Sequence, residues 1–171
     1  RNCAHVHVGH GTGDLRVLAG LDPGVPVVLY QGGFTPGRGL DVVVAAMGGL
    51  PTSVHLVMLG YGPMAADLGR LAAEHGVADR VHVVPAVPPE ELLSLTASAT
   101  VGVIPYQPVS RNNYYSLPNK IFEYTSVGLP VVASDLPELR RVVVDGGVGA
   151  VYDPFDPGSL TAALLHVLDP G

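Results

Sequence analysis

Short apolar runs recur along this chain, each followed by a helix-like stretch, and that alternation restricts the fold more than any other feature. Val25 to Tyr30, Val54 to Leu59, Val81 to Val84, Thr100 to Ile104, Val131 to Ala133 and Ala150 to Tyr152 are rich in β-branched residues. They are apolar throughout rather than alternating, the pattern of strands covered on both faces. Between them, Leu40 to Met47, Ala65 to His75, Asn119 to Val127, Glu138 to Val144 and Ser159 to Leu168 read as helices. Another helix opens at Pro88, Pro89, Glu90 and Glu91, where a first turn tolerates proline and the helix dipole favours acids. Strands that alternate with helices predict an α/β domain with a parallel sheet. Right-handed crossovers then favour a doubly wound, Rossmann-like sheet of about six strands. Such sheets bind ligands beyond the carboxyl ends of their strands. Function is therefore to be sought in segments 31–39, 60–64, 85–89, 105–120 and 134–138.

Composition narrows the partners. With 171 residues the chain is about one domain, yet only 14% of it is charged, against about 25% in ordinary soluble domains. Either its surface is unusually apolar or part of it lies against something else. A net charge of −6 argues against a general nucleic-acid binder, which shows a basic face. One cysteine, Cys3, excludes an internal disulfide. No apolar run is long enough to span a membrane. The start, Arg1, Asn2 and Cys3, has neither initiator Met nor the features of a signal peptide, so the chain reads as a piece of a longer protein. Residues 1–24, rich in Gly and His and poor in periodicity, read as a linker remnant; 25–171 form the domain. Lys120 is the only lysine, and the remaining basic residues are arginines.

Three segments imitate familiar motifs. Gly60, Gly62 and Ala65 match a dinucleotide fingerprint, but they follow the second strand, and Val81 to Val87 offers no acid for a ribose. Gly32 to Gly39 has the spacing of a phosphate-binding loop, but Arg38 stands where lysine is needed and Gly39 where a magnesium-ligating hydroxyl is needed. What survives is physical. Glycines let backbone approach a ligand closely, and Arg38 offers a planar fork to a phosphate. His5, His7 and His10 have ligand-like spacing but no partner carboxylate or cysteine, and no metal is expected.

The informative stretch is 100–135. A polar loop leads into a helix that carries Lys120 and Glu123 three residues apart, hence on one face. Free backbone N–H groups near 118–120 make an anion site. A cation for phosphate beside a carboxylate for a ribose diol is what recognition of a nucleoside diphosphate needs. The same residues also describe a solvated helix start with an ion pair between Lys120 and Glu123, and taken alone they leave both readings open.

Here the sequence resembles the C-terminal domain of the GT-B glycosyltransferases of the glycosyl transferase group 1 family. The resemblance runs from about residue 14 to 168. It rests on Tyr30, Gly32, Arg38, Gly39 and Asp41 after the first strand, and on Gly60, Gly62 and Pro63 after the second. It continues with Pro85, Val87, Glu90, Glu91 and Leu92 after the third strand. Pro118, Lys120, Glu123 and Tyr124 follow, with Gly128 to Asp135. The resemblance implies transfer of a sugar from a nucleoside-diphosphate sugar with retention of configuration. It implies that Arg38 and Lys120 neutralise the departing diphosphate and that Glu123 binds the ribose. Backbone at Pro85, Ala86 and Val87 would hold the base, with Gly60 and Gly62 nearby. Gly32, Gly33, Tyr115, Ser116, Leu117 and Pro118 would line the phosphates and sugar.

Two departures stand out. Many members carry Arg at the position of Gly33, and a first Glu at the position of Tyr115. The resemblance further implies that no cofactor is required beyond the donor substrate. The acceptor would bind a preceding N-terminal domain, with the whole protein cytoplasmic or at the inner face of the membrane, and a fragment such as this would be inactive alone. A non-catalytic nucleotide-sugar-binding module and a sugar-nucleotide epimerase of the same fold stay open as alternatives.

Overall fold

The structure, a computed structural model, describes residues 13–169. The expected alternation is realised as β1 (Val27–Gly33), α2 (Leu40–Ala46), β2 (His55–Tyr61), α3 (Ala65–Glu74), β3 (Val81–Pro85), α4 (Pro89–Ala97) and β4 (Val101–Ile104), after a short α1 (Leu15–Ala19). Then come α5 (Arg111–Tyr115), α6 (Asn119–Ser126), β5 (Val131–Ser134), α7 (Pro137–Val143), β6 (Gly149–Tyr152) and α8 (Pro157–Leu168). The strands form one sheet in the order β3-β2-β1-β4-β5-β6, and every neighbouring pair is parallel. This is the Rossmann-like doubly wound sheet that the sequence predicts.

Successive strand residues face opposite sides, so each strand feeds two cores. Val28, Tyr30, Leu56, Met58, Val103 and Val132 pack under α2, α3 and α8. Val27, Leu29, Val57, Leu59, Ile104 and Val131 pack under α1, α4, α6 and α7. That double burial is why the strands read as continuous apolar runs. The winding reverses between β1 and β4, and loops diverging from those strands leave a crevice above their carboxyl ends.

Two segments differ from expectation. Part of the predicted linker, from residue 13 onward, is docked on the domain. Asp14 caps α1 by accepting from the Arg16 N–H at 2.8 Å, and Gly20 closes it in the left-handed conformation. Leu15 is fully buried, its N–H bonds the Ser98 hydroxyl, and Arg16 donates to the carbonyls of Val25 and Ser98. One buried leucine is too little periodicity to announce a helix. The second difference is α5, inside the predicted polar loop, capped by Ser110 accepting from the Asn113 N–H. It buries no side chain, so no apolar pattern marks it.

Candidate donor-binding site

The crevice at the switch point holds a cleft of about 430 Å³, lined by the ends of β1 and β2, the segment after β3, Tyr106 beyond β4 and the start of α6. Its geometry depends on how α6 is seated. Tyr124 of α6 lies flat over the sheet because β4 carries Gly102 beneath it; a Cβ there would sit 2.5 Å from the Tyr124 ring. The Tyr124 hydroxyl accepts from the Gln31 N–H and donates to the Leu29 carbonyl, both at 3.3 Å. Helix α6 is thereby pinned across β1, which aims Lys120, one turn earlier on the helix, and Glu123, the residue before Tyr124, at the strand's carboxyl end.

Lys120 is only 8% exposed. Its Nζ lies 4.2 Å from the centre of the Tyr30 ring and 5.2 Å from that of Tyr106. The Arg38 guanidinium lies 4.1 Å from the other neighbour of that group, the Tyr106 ring centre. Neither cation has a carboxylate within ion-pair distance among the described residues. Of the two readings the sequence leaves open, the ion pair between Lys120 and Glu123 does not form. Burial, then the charge of Arg38, pull Lys120 from its ordinary 10.5 down to about 7, with Glu123 opposing. Burial also raises the Tyr106 phenol, against the pull of Arg38, so both rings stay neutral beside the cations.

Glu123 is held from another side. The Gln31 amide donates to Glu123 Oε2 at 2.6 Å, and Thr96 Oγ1 lies 2.8 Å from Gln31 Oε1. Gln31 and Thr96 are buried. The amide is oriented by its partners: a carboxylate only accepts, so Gln31 must turn its NH2 to Glu123 and receive the Thr96 proton at its oxygen. The hydroxyl's other close neighbour, the Leu92 carbonyl, then goes without that proton.

Of the residues singled out from the sequence, Gly32, Gly33, Arg38, Gly60, Ala86, Val87, Pro118, Lys120 and Glu123 line the cleft. Gly32 has φ 130°, and a Cβ on it would meet Lys120 Nζ at 3.2 Å, so glycine there leaves the ammonium its place. A Cβ on Gly33 would make ordinary contacts only, with Thr35 Cγ2 at 3.9 Å and the Tyr61 carbonyl at 4.0 Å. The other candidates sit apart. Gly62 is packed against the Phe34 backbone, Pro85 pairs with Gly60 as the last residue of β3, and Leu117 packs into the core beneath α6. Ser116 donates to the Asn113 carbonyl. Tyr115 is exposed, edge-on to Tyr114 with ring centres 4.8 Å apart. Sequence reasoning did not single out Gln31, Thr96, Tyr106, Tyr61 or Asn119. Gln31, Tyr61, Tyr106 and Asn119 fall in the flagged strand-end segments, which was the available signal; Thr96 lies near the end of α4 and carried none. Gly60 to Met64 form a tight strand-to-helix turn. His5, His7 and His10 lie outside the described residues, and among those described no group of three metal-ligating side chains occurs.

Together the sheet order and cleft define a doubly wound α/β domain whose switch-point crevice carries two unneutralised cations and an oriented carboxylate. The chain belongs to the glycosyl transferases group 1 family, which it matches over residues 25–170. It is 34% identical over 158 residues to a D-inositol 3-phosphate glycosyltransferase of Acidothermus cellulolyticus, covering 85% of this chain and 34% of that protein. The chain thus spans about a third of the length of such relatives. Among solved structures it is similar to sucrose-phosphate synthase of Thermosynechococcus elongatus, with TM-score 0.73 and 29% identity over 90% of this chain and 38% of that one. Anabaena Alr3699/HepE in complex with UDP-glucose shares the fold, with TM-score 0.72 and 19% identity over 91% and 42% of the two chains.

Proposed function

We propose that this chain is the donor-binding domain of a retaining glycosyltransferase that uses a nucleoside-diphosphate sugar. The observation that carries the reading is the pair Arg38 and Lys120, which share one cleft with no carboxylate at ion-pair distance from either among the described residues. A buried cation without a counter-ion costs folding energy, and a site made ready for a diphosphate gives that cost a use. Glu123, fixed at Oε2 by Gln31, keeps Oε1 to accept from a ribose diol. Ala86, Val87, Leu59 and Leu92 supply an apolar slot beside it for a base.

In the reaction, negative charge grows on the diphosphate as the anomeric bond breaks. Preorganised positive groups at that point lower the barrier, and removing one such donor commonly costs about 100- to 1000-fold in rate. Arg38, Lys120 and the uncapped start of α6 fill that role without a divalent ion. The acceptor would come from an N-terminal domain across the cleft, in the cytoplasm or at the inner face of the membrane. Curated relatives named for sugar transfer and a neighbour holding UDP-glucose support the reading.

A non-catalytic nucleotide-sugar-binding module is the second reading. It is favoured by Tyr115, which stands exposed outside the cleft where many members place a carboxylate. The test is a thermal-shift screen against UDP, GDP, ADP and TDP and their sugars. One nucleotide at 100 times its dissociation constant should add about 2.7 kcal/mol of stability, and Glu123→Ala should remove that shift. Absence of any shift, in this chain and in the complete protein, would sink the donor-site reading; turnover by the complete protein separates enzyme from module.

A further inference from the structure

Tyr106 sits where neither the strand pattern nor the charged residues called for an aromatic. It lies two residues beyond β4, is 7% exposed, and among the described residues its ring is the aromatic face that both site cations approach. Arg38 comes from the loop after β1 and Lys120 from α6, so no local chain geometry sets their separation. Two like charges in one partly buried cleft repel each other. Unrestrained, the guanidinium would turn to solvent, or to Glu123, the acid that lines the same cleft. A carboxylate placed between the cations would hold them but would compete with an incoming phosphate for the same N–H groups. An aromatic face attracts cations through its quadrupole and accepts none of their hydrogen bonds in the plane needed for phosphate. Its face therefore holds them without occupying the N–H groups that a phosphate needs.

We propose that Tyr106 is a positioning residue of the site, its ring keeping Arg38 and Lys120 side by side as an unneutralised pair into which a diphosphate fits. The inference rests on the donor-site reading above. It assigns no contact between Tyr106 and the reacting atoms; the ring acts through the two cations. The Arg38 guanidinium also reaches the Tyr106 phenolic oxygen, but that contact engages one cation only; the ring faces both, so a phenyl ring should keep the pair in place.

Inorganic pyrophosphate is the probe, since it needs no knowledge of the base. Its affinity is measured by calorimetry for the wild-type chain, Tyr106→Phe and Tyr106→Leu, with a melting curve for each. Tyr106→Phe should bind within threefold of wild type, and Tyr106→Leu should lose tenfold or more. Combined with Arg38→Met, Tyr106→Leu should cost clearly less than it does alone, because one of the cations it holds is already gone. If Tyr106→Leu fails to fold, Tyr106→Met, of closer length, takes its place. Undiminished binding by the leucine or methionine variant overturns the proposal, as does a tenfold loss in Tyr106→Phe. Losses that simply multiply in the double variant also overturn it, because they reveal a general structural effect. A wild-type chain that binds no pyrophosphate overturns the donor-site reading together with this one, whereas wild-type binding with an indifferent Tyr106 leaves that reading standing.

Discussion

The depressed Lys120 makes nucleotide affinity a steep function of pH. In the empty site burial and Arg38 hold its ammonium at a pKa of about 7, where 10.5 is ordinary. Against the ordinary value this is a penalty on the charged form of roughly 5 kcal/mol, at about 1.4 kcal/mol for each tenfold change in the protonation equilibrium. A diphosphate beside the ammonium favours that form and lifts its pKa. Linkage then fixes the sign. Below pH 7 the lysine is already charged and affinity is at its full value. Above it, binding must take up a proton, and affinity falls about tenfold per unit until the pKa of the complex is reached. Between pH 7.5 and 9.5 the loss should approach about 100-fold. The phosphates of UDP or GDP are fully ionised across that window, their last pKa being near that of other phosphate esters, about 6, so they contribute no slope. Calorimetry in buffers of different ionisation enthalpy should show about one proton taken up per ligand at pH 8.5. Lys120→Met should bind weakly with no pH dependence. Because Lys120 is the only lysine in the chain, carbon-13 labelling of lysine gives a single ε-methylene signal whose titration reads the pKa directly. A midpoint near 10 in the ligand-free chain, or a dissociation constant flat from pH 7.5 to 9.5, would refute the reasoning. Folding takes the opposite sign: the unfolded chain keeps this proton up to about 10.5, so ligand-free stability should rise between pH 7 and 10.5.

Two further outcomes follow from how the site is seated. Gln31→Leu removes the 2.6 Å bond to Glu123, while the Thr96 hydroxyl keeps the Leu92 carbonyl as an acceptor. It should weaken nucleotide binding by about tenfold, the worth of one hydrogen bond to a charged group, while pyrophosphate affinity stays within threefold; equal losses for both ligands would show that Gln31 does not act through Glu123. Gly102→Ala places a methyl 2.5 Å from the Tyr124 ring. It should destabilise the domain by about 1–3 kcal/mol in chemical denaturation and weaken pyrophosphate binding as α6 shifts; an unchanged midpoint would mean that Tyr124 does not depend on that space.

How much of this was legible follows from the range over which each signal acts. The sheet was legible because burial on both faces imposes a local rule, continuous apolarity, on every strand. Strand ends were less so: β1 runs on through Gly33 because it pairs with β2 as far as Tyr61, a contact that no local residue announces. The helix at 15–19 was missed for the same reason, since Leu15 owes its burial to partners near residue 95 and beyond. In the site, Arg38, Lys120 and Glu123 were legible because charge is rare here and their spacing repeats a family pattern. Their arrangement was not. Spacing of three on a helix suggests that Lys120 pairs with Glu123, yet the structure gives the carboxylate to Gln31, 92 positions away in sequence, and the ammonium to Tyr30 and Tyr106. Each of those partners is neutral, and that is the physical reason the sequence could not show it. Paired charges in a sequence suggest neutralisation, whereas a site for an anion must keep its cations unpaired, and the groups that do so are aromatic rings and amides that look like ordinary core. The low charge of the chain fits this arrangement, since every additional carboxylate within reach of Arg38 or Lys120 would compete for the place the proposed donor fills.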